Sequence, residues 1–310
     1  MNSSGPATAL AAAAGALLLA SCGGGSGSGM STLNLGLTDA AVSGVSKVWI
    51  QFSGVEVKPA SGNPLDFNFT PQRGFDLLTL QNGTTGTFLN GAVIPAGDYQ
   101  WVRLMVDTTP GVSYVVDSTG QHNLVIPSGA ETGLKLIQGF TMPVGGVADF
   151  TVDFVLSKSL IAPAGQSPDY LLKPVLRLVD NAQVGTVSGT FQPTTLAAWP
   201  NCGTHAPVVY VYPGANAQPD DIYNPPAGAT DTDTAPLVEP LTTTTAALNS
   251  MSVYAYSVAF LPAGTYTVAF TCDADDPTVD EEALASNPIH FDLYGQPVTV
   301  TANAVTTVDF

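Results

Sequence analysis

The chain has 310 residues, with 25 acidic against 8 basic side chains, a formal net charge of −17 and three cysteines. From Thr186 onward it holds 13 Asp and Glu and no Lys or Arg, a balance that repels phosphate backbones and anionic lipid and excludes nucleic acid as a partner. Only 11% of residues are charged, while Gly, Thr, Val and Ala are plentiful. That composition suits strands and turns rather than surface helices, which draw on Glu and Lys, so an all-β fold is expected.

In chain order, Thr8 to Ala20 is almost wholly Ala and Leu, too short an apolar run to span a bilayer. It ends in Leu19-Ala20-Ser21-Cys22 and is followed by Gly23-Gly24-Gly25-Ser26-Gly27-Ser28-Gly29. The four residues resemble the bacterial lipobox, although the first ten residues lack the Lys or Arg that usually opens a signal peptide. The resemblance implies that residues 1–21 are a lipoprotein signal peptide and that Cys22 is lipidated. Residues 22–31 then form the lipidated Cys and its Gly/Ser tether. Gly23 in place of Asp implies the outer membrane of a Gram-negative bacterium. The tether has a root-mean-square reach of roughly 15 Å, and stable anchoring takes more than one acyl chain.

Beyond the tether the period is that of strands. Leu33, Leu35 and Leu37 alternate, as do Val48, Ile50 and Phe52 against Lys47, Trp49 and Gln51. Val55 and Val57 continue the pattern, and Pro59 to Pro64 reads as a turn. Phe75 to Leu80 is a strand candidate. Pro95-Ala96-Gly97 is a turn before an alternating strand from Asp98 to Val106. Shorter strands are expected at 114–116, 124–126 and 134–137. Phe150, Val152 and Phe154 alternate with Asp149, Thr151 and Asp153, which places the two aspartates on the solvent face. A helical turn at 157–161 and a strand from Leu171 to Val179 follow.

Five stretches carry a further resemblance: Leu37-Thr38-Asp39-Ala40-Ala41-Val42-Ser43-Gly44-Val45-Ser46-Lys47-Val48-Trp49-Ile50, Pro95 to Trp101, Leu134-Lys135-Leu136, Ala148 to Phe154 and Leu172 to Arg177. In this order they resemble the bacterial lipoprotein domain family known only as domain of unknown function 4382, over about residues 32–183. The resemblance implies a β-rich envelope domain and carries no activity.

The second part, residues 184–310, opens with Val187 to Phe191 and has strand candidates at Val208–Tyr212 and Val253–Phe260. Gln218 to Leu248, rich in Pro, Thr and Asp, reads as a long exposed loop. Leu261-Pro262-Ala263-Gly264-Thr265-Tyr266 repeats the earlier Pro-Ala-Gly-x-Tyr device, and Thr307-Val308-Asp309-Phe310 repeats Thr151-Val152-Asp153-Phe154. The double repeat points to two tandem β-sandwiches of Ig-like or transthyretin-like type. The second part resembles transthyretin-like and carboxypeptidase-regulatory-like sandwiches, in which Pro-x-Gly-x-Tyr precedes a core strand.

With Cys22 taken by lipid, Cys202 and Cys272 are expected to form a disulfide, since no other thiol is present. The densest polar cluster is Asp273, Asp275, Asp276, Asp280, Glu281 and Glu282. Such a loop can bind a hard cation such as calcium or be an ordinary solvated loop, and its spacing is not that of an EF-hand. Asp220-Asp221 and Asp231/Asp233 are weaker versions. His122, His205 and His290 lie in no metal-binding spacing and read as loop or strand-surface residues. Asp98, Asp149 and Asp153 can be drawn as a glycosidase-like carboxylate set. Tyr99, Trp101, Trp199, Tyr210 and Tyr212 can be drawn as exposed sugar-stacking positions or as cover for a core edge.

Three functions compete: a non-enzymatic display, adhesion or scaffolding module, a carbohydrate- or calcium-binding lipoprotein, and a hydrolase with an unrecognised site. The leading expectation is the first. Its partners would be the membrane, through the lipid anchor, and an envelope protein or polysaccharide.

Overall fold

The structure is a computed structural model that describes Met1 and residues 29–310, except 40, 41, 43, 128, 164–166, 200, 224–236 and 276–288. Residues 2–28, which hold the rest of the expected signal peptide, Cys22 and most of the expected tether, lie outside the described residues. So do Asp231, Asp233, Asp276, Asp280, Glu281 and Glu282.

The first part contains β1 (Met30–Asp39), β2 (Val45–Pro59), β3 (Leu65–Asp76), β4 (Gly86–Pro95), β5 (Gly97–Val106), β6 (Tyr114–Asp117) and β7 (Gly120–Val125). It continues with β8 (Leu134–Leu136), β9 (Phe140–Met142), β10 (Val147–Phe154), β11 (Leu160–Ile161), β12 (Tyr170–Leu172) and β13 (Leu176–Asp180). One sheet has the order β13-β10-β1-β4. The other runs β11-β12-β7-β6-β2-β5-β8, with β3 on β2 and β9 on β5. The alternating residues do what their period dictates: Leu33, Leu35, Leu37, Val48, Ile50 and Phe52 all enter one core between the sheets. Phe52 is its hub, with edge-on contacts to Phe88 at 5.0 Å and Phe154 at 6.5 Å.

The second part contains β14 (Val184–Thr190), β15 (Val208–Pro213), β16 (Gln218–Pro219), β17 (Leu237–Val238), β18 (Thr242–Thr245) and β19 (Ala247–Leu248). The remaining strands are β20 (Tyr254–Pro262), β21 (Gly264–Thr271), β22 (Asp292–Leu293), β23 (Val298–Val300) and β24 (Val305–Thr307). One sheet runs β19-β20-β14-β24. The other runs β18-β15-β21-β22, with β23 also on β21. Val187, Val209, Val211, Val268, Phe270 and Val308 fill its core, and Phe191 packs against Phe270 at 4.9 Å and Phe310 at 5.2 Å. The Cys202–Cys272 disulfide forms as expected and is buried beside this core.

The repeated motifs hold equivalent positions in the two sandwiches. In the first, β4 passes through Pro95-Ala96-Gly97 into β5 of the opposite sheet. In the second, β20 passes through Pro262-Ala263-Gly264 into β21. The tyrosine hydroxyl of each corner donates back to the proline carbonyl, Tyr99 to Pro95 at 2.8 Å and Tyr266 to Pro262 at 2.7 Å. The alanine N–H of each donates to the residue just before the first strand, Ala96 to Gly29 at 2.7 Å and Ala263 to Gln183 at 3.1 Å. The Val-Asp-Phe segment runs parallel to the first strand in both, beside β1 and beside β14.

That parallel pairing is tight in the second sandwich. A Cβ on Gly189 would lie 1.7 Å from the Val308 carbonyl oxygen, an overlap with backbone that no side-chain rotation relieves. Gly189→Ala is therefore expected to push the C-terminal strand off β14 and destabilise the protein by about 1–3 kcal/mol. A thermal melt checks this, and an unchanged midpoint would contradict it.

Three expectations are corrected. Asp153 does not face solvent: β10 is buried on both faces from Phe150 to Phe154 because the second sandwich covers its outer side. Gln218 to Leu248 is not simply an exposed loop. Asp220, Asp221, Ile222 and Thr242 to Thr244 are buried, and four short strands form within it. Phe75 to Leu80 is not a strand throughout, because Leu77–Leu80 is a 3-10 turn that drops Leu77 and Leu80 into the core.

Candidate functional site

The two sandwiches meet along partly buried polar contacts, beside a buried ion pair within the first. The Arg177 side chain closes on Asp153, directly opposite on the neighbouring strand, with Nε at 3.0 Å from Oδ2. Burial drives the Asp153 carboxyl above its ordinary value, and the Arg177 guanidinium opposes that shift. Lys158 pairs with Glu239, and the Thr244 hydroxyl donates to Asn82 Oδ1 at 2.8 Å. Each of these two contacts joins one sandwich to the other.

Beside this junction lies a cleft of about 310 Å³. Val42 and Ser157 come from the first sandwich. Val208 and Tyr210 of β15, Thr243 and Thr245 of β18, and His205, Ile222, Asp273 and Asp275 come from the second. β15 supplies this wall because both its faces are covered. Val209 and Val211 point into the sandwich core, while Tyr210 and Tyr212 pack under Ile222 on the other face. The Tyr210 hydroxyl bonds to the Asp275 carboxylate, which also accepts the Ile222 N–H at 3.3 Å. The Tyr212 hydroxyl donates to the Asp220 carbonyl at 2.8 Å. Burial, then the nearby Asp275 charge, pushes both phenols far above their ordinary value, so both stay neutral donors.

Asp273, at the start of the acidic loop, accepts from Asn201 Nδ2 at 2.8 Å and from the His290 N–H at 2.9 Å, with His290 Nδ1 at 3.0 Å. Burial raises its carboxyl, but the hydrogen bonds from Asn201 and His290 outweigh that and hold it below the usual carboxylate range. Asp273 and Asp275 are thus the described members of the predicted calcium-binding cluster. Among the described residues no group of three His, Cys, Asp or Glu side chains is placed to hold a metal ion.

The remaining candidates lie elsewhere. Asp98 accepts from the Thr141 hydroxyl at 2.6 Å, and Asp149 from Asn34 Nδ2 at 2.7 Å. Asp149 and Asp153 are four residues apart on β10, about 13 Å along a strand, outside the separation a glycosidase pair uses. His122 lies 3.0 Å from Asp117 Oδ1 and 2.8 Å from the Pro168 carbonyl, fastening the β6–β7 turn to the segment before β12. The Tyr170 hydroxyl donates to the same Asp117 at 2.9 Å, and burial and that carboxylate push its phenol up to about 12. His205 stands at the cleft, 3.1 Å from the Thr204 hydroxyl.

Of the aromatic candidates, Tyr99, Tyr210 and Tyr212 are buried, not exposed. Trp199 packs edge-on against Phe270 at 5.8 Å. Trp101 is half-buried, with the Arg103 guanidinium 4.8 Å and the Lys135 ammonium 4.5 Å from its ring. The cleft itself was missed from sequence. It joins residues more than a hundred positions apart, and no local pattern announces such a meeting.

No curated protein matches the chain. Among solved structures it is similar to a leucine-rich repeat protein from Bacteroides thetaiotaomicron, at 14% identity and a TM-score of 0.23 over 91% of this chain. The chain spans only 26% of that protein's length. It is also similar to GBS52, the minor pilin of Streptococcus agalactiae, at 10% identity and a TM-score of 0.17, covering 89% of this chain and 94% of that one. The shaft pilin SpaA of Lactobacillus rhamnosus GG has 9% identity and a TM-score of 0.18, covering 90% of this chain and 97% of that one. Similarities this low carry no statement about function. The family model described as Domain of unknown function (DUF4382) matches residues 30–174. That span holds the whole of β1 to β12, so the similarity to DUF4382 covers most of the larger, N-terminal sandwich.

Proposed function

We propose that this chain is a non-enzymatic lipoprotein of the Gram-negative envelope. Cys22 anchors it to the outer membrane, and its acidic C-terminal sandwich is displayed to an envelope protein or polysaccharide. The observation that supports this reading is where the polar groups go. Asp153 is committed to Arg177, Asp117 to His122 and Tyr170, Asp273 to Asn201 and His290, and Asp275 to Tyr210. These are fastenings of a scaffold: each carboxylate holds its own strands or loops together. The Gly/Ser run before β1 is a spacer between such a scaffold and a lipid at Cys22.

Replacing Cys22 by serine is expected to move the protein from the membrane fraction to the soluble fraction and to abolish incorporation of a clickable palmitate. A Cys22→Ser protein that stays membrane-bound, or wild type that takes up no label, would sink the reading.

A further inference from the structure

At the end of the first sandwich where the chain leaves for Cys22, four large apolar side chains stand in the open. Met30 is 49% exposed, Val93 60%, Val144 73% and Val147 61%. The backbone brings them together. Val93 and Val147 flank Thr32 on its two neighbouring strands, and Met30 lies opposite Pro95. The Gly145 N–H donates to the Met30 carbonyl at 3.1 Å, and Gly29 lies against Val144. The three stretches that build this rim, 29–38, 90–97 and 139–148, contain no charged residue of their own, and the bordering carboxylates Asp98 and Asp149 accept hydrogen bonds from Thr141 and Asn34. The opposite ends of β1 and β10, at Thr38, Asp39 and Asp153, face the second sandwich.

We propose that this uncharged rim rests in the interfacial layer of the bilayer that holds the Cys22 lipid. The inference rests on the anchoring read from the lipobox. Apolar side chains gain by entering the boundary between headgroups and acyl chains, though so few would not bind alone. The tether changes that: seven residues separate Cys22 from Met30 and reach at most about 25 Å extended. The rim is therefore held at high effective concentration against the surface. Charge sets the same orientation, because the part of the chain with 13 carboxylates and no cation is repelled by anionic lipid. A second copy of the chain is a poorer occupant, since four side chains fall well short of the ~800 Å² per partner of a stable interface.

The test uses the full-length lipidated protein in phosphatidylethanolamine–phosphatidylglycerol vesicles. An environment-sensitive dye is attached at Val144→Cys, at Val147→Cys as a second site, and at Met251→Cys as a control on the second sandwich, where Met251 is 77% exposed. The expected result is a blue shift and quenching by brominated lipid at 144 and 147, with neither at 251, and loss of both effects when Val93 is replaced by Asp. Unquenched dye at 144 and 147 in protein shown by mass to carry acyl chains would overturn the rim and leave the anchor standing. Dye-to-dye contact that grows with protein density, without lipid quenching, would overturn it in favour of a second copy. Protein that carries no acyl chain would overturn the anchor and the rim together.

Discussion

Replacing Cys272 by serine is expected to destabilise the C-terminal sandwich by about 4 kcal/mol, the chain-entropy value for a loop of this length. The bridge joins positions 70 residues apart. That interval includes the whole of β15 to β21. It also takes in the described part of the long Pro- and Thr-rich segment, whose short strands Gln218–Pro219 and Leu237–Val238 bury little. Without the bridge, the unfolded chain regains the freedom of that loop, and folding must close it unaided. Chemical denaturation under oxidising and reducing conditions measures the effect. Two transitions are expected on reduction, with the earlier one belonging to the second sandwich. Coincident curves for wild type and Cys272→Ser would show that the core of Phe191, Phe270 and Phe310 holds the segment by itself.

Arg177→Met should cost about 3–5 kcal/mol, because it leaves the Asp153 carboxylate buried without its partner. The side chains of Arg177 and Asp153 are 17% and 5% exposed, so water cannot replace the guanidinium. The pH dependence has a definite sign. Burial raises the folded-state value of Asp153 above that of the unfolded chain, and Arg177 opposes this. The folded state then binds more protons between the two values, and stability falls as pH rises through that window. Removing Arg177 removes the opposition and widens the window upward. The variant should therefore lie close to wild type at the ordinary carboxylate value and lose most of its stability towards neutral pH. Asp153→Leu combined with Arg177→Met should recover most of the loss, since a packed apolar pair carries no buried charge. Urea denaturation at the two pH values checks both statements, and an equal loss at both would contradict the account of Asp153.

The sequence was legible where one physical cause acts alone. Leu33, Leu35 and Leu37 alternate because one face of β1 is buried, and all three lie in the core. The Pro-Ala-Gly-x-Tyr corners were legible because a turn needs Pro and Gly and the following strand needs an inward ring. Their hydroxyl bonds to Pro95 and Pro262 show one construction used twice. The failures occur where a second surface arrives from far along the chain. Asp153 keeps the period of a solvent residue, but the second sandwich covers it. Tyr210 and Tyr212 alternate like exposed aromatics, yet Ile222 and Phe291 close over them. Gln218 to Leu248 has the composition of a loop, but Thr242 to Thr244 are buried by pairing with β15 and by the junction between the sandwiches. Local pattern reports one face of a strand, and tertiary packing decides the other.

The central claim is that residues 29–310 form a scaffold hung from a lipid at Cys22. The intact mass of the membrane-extracted protein tests it most directly. The predicted result is a chain that begins at Cys22 and carries the added mass of a diacylglycerol and a further fatty acyl group. A chain that retains residues 1–21, or one whose Cys22 bears no added mass, would contradict it.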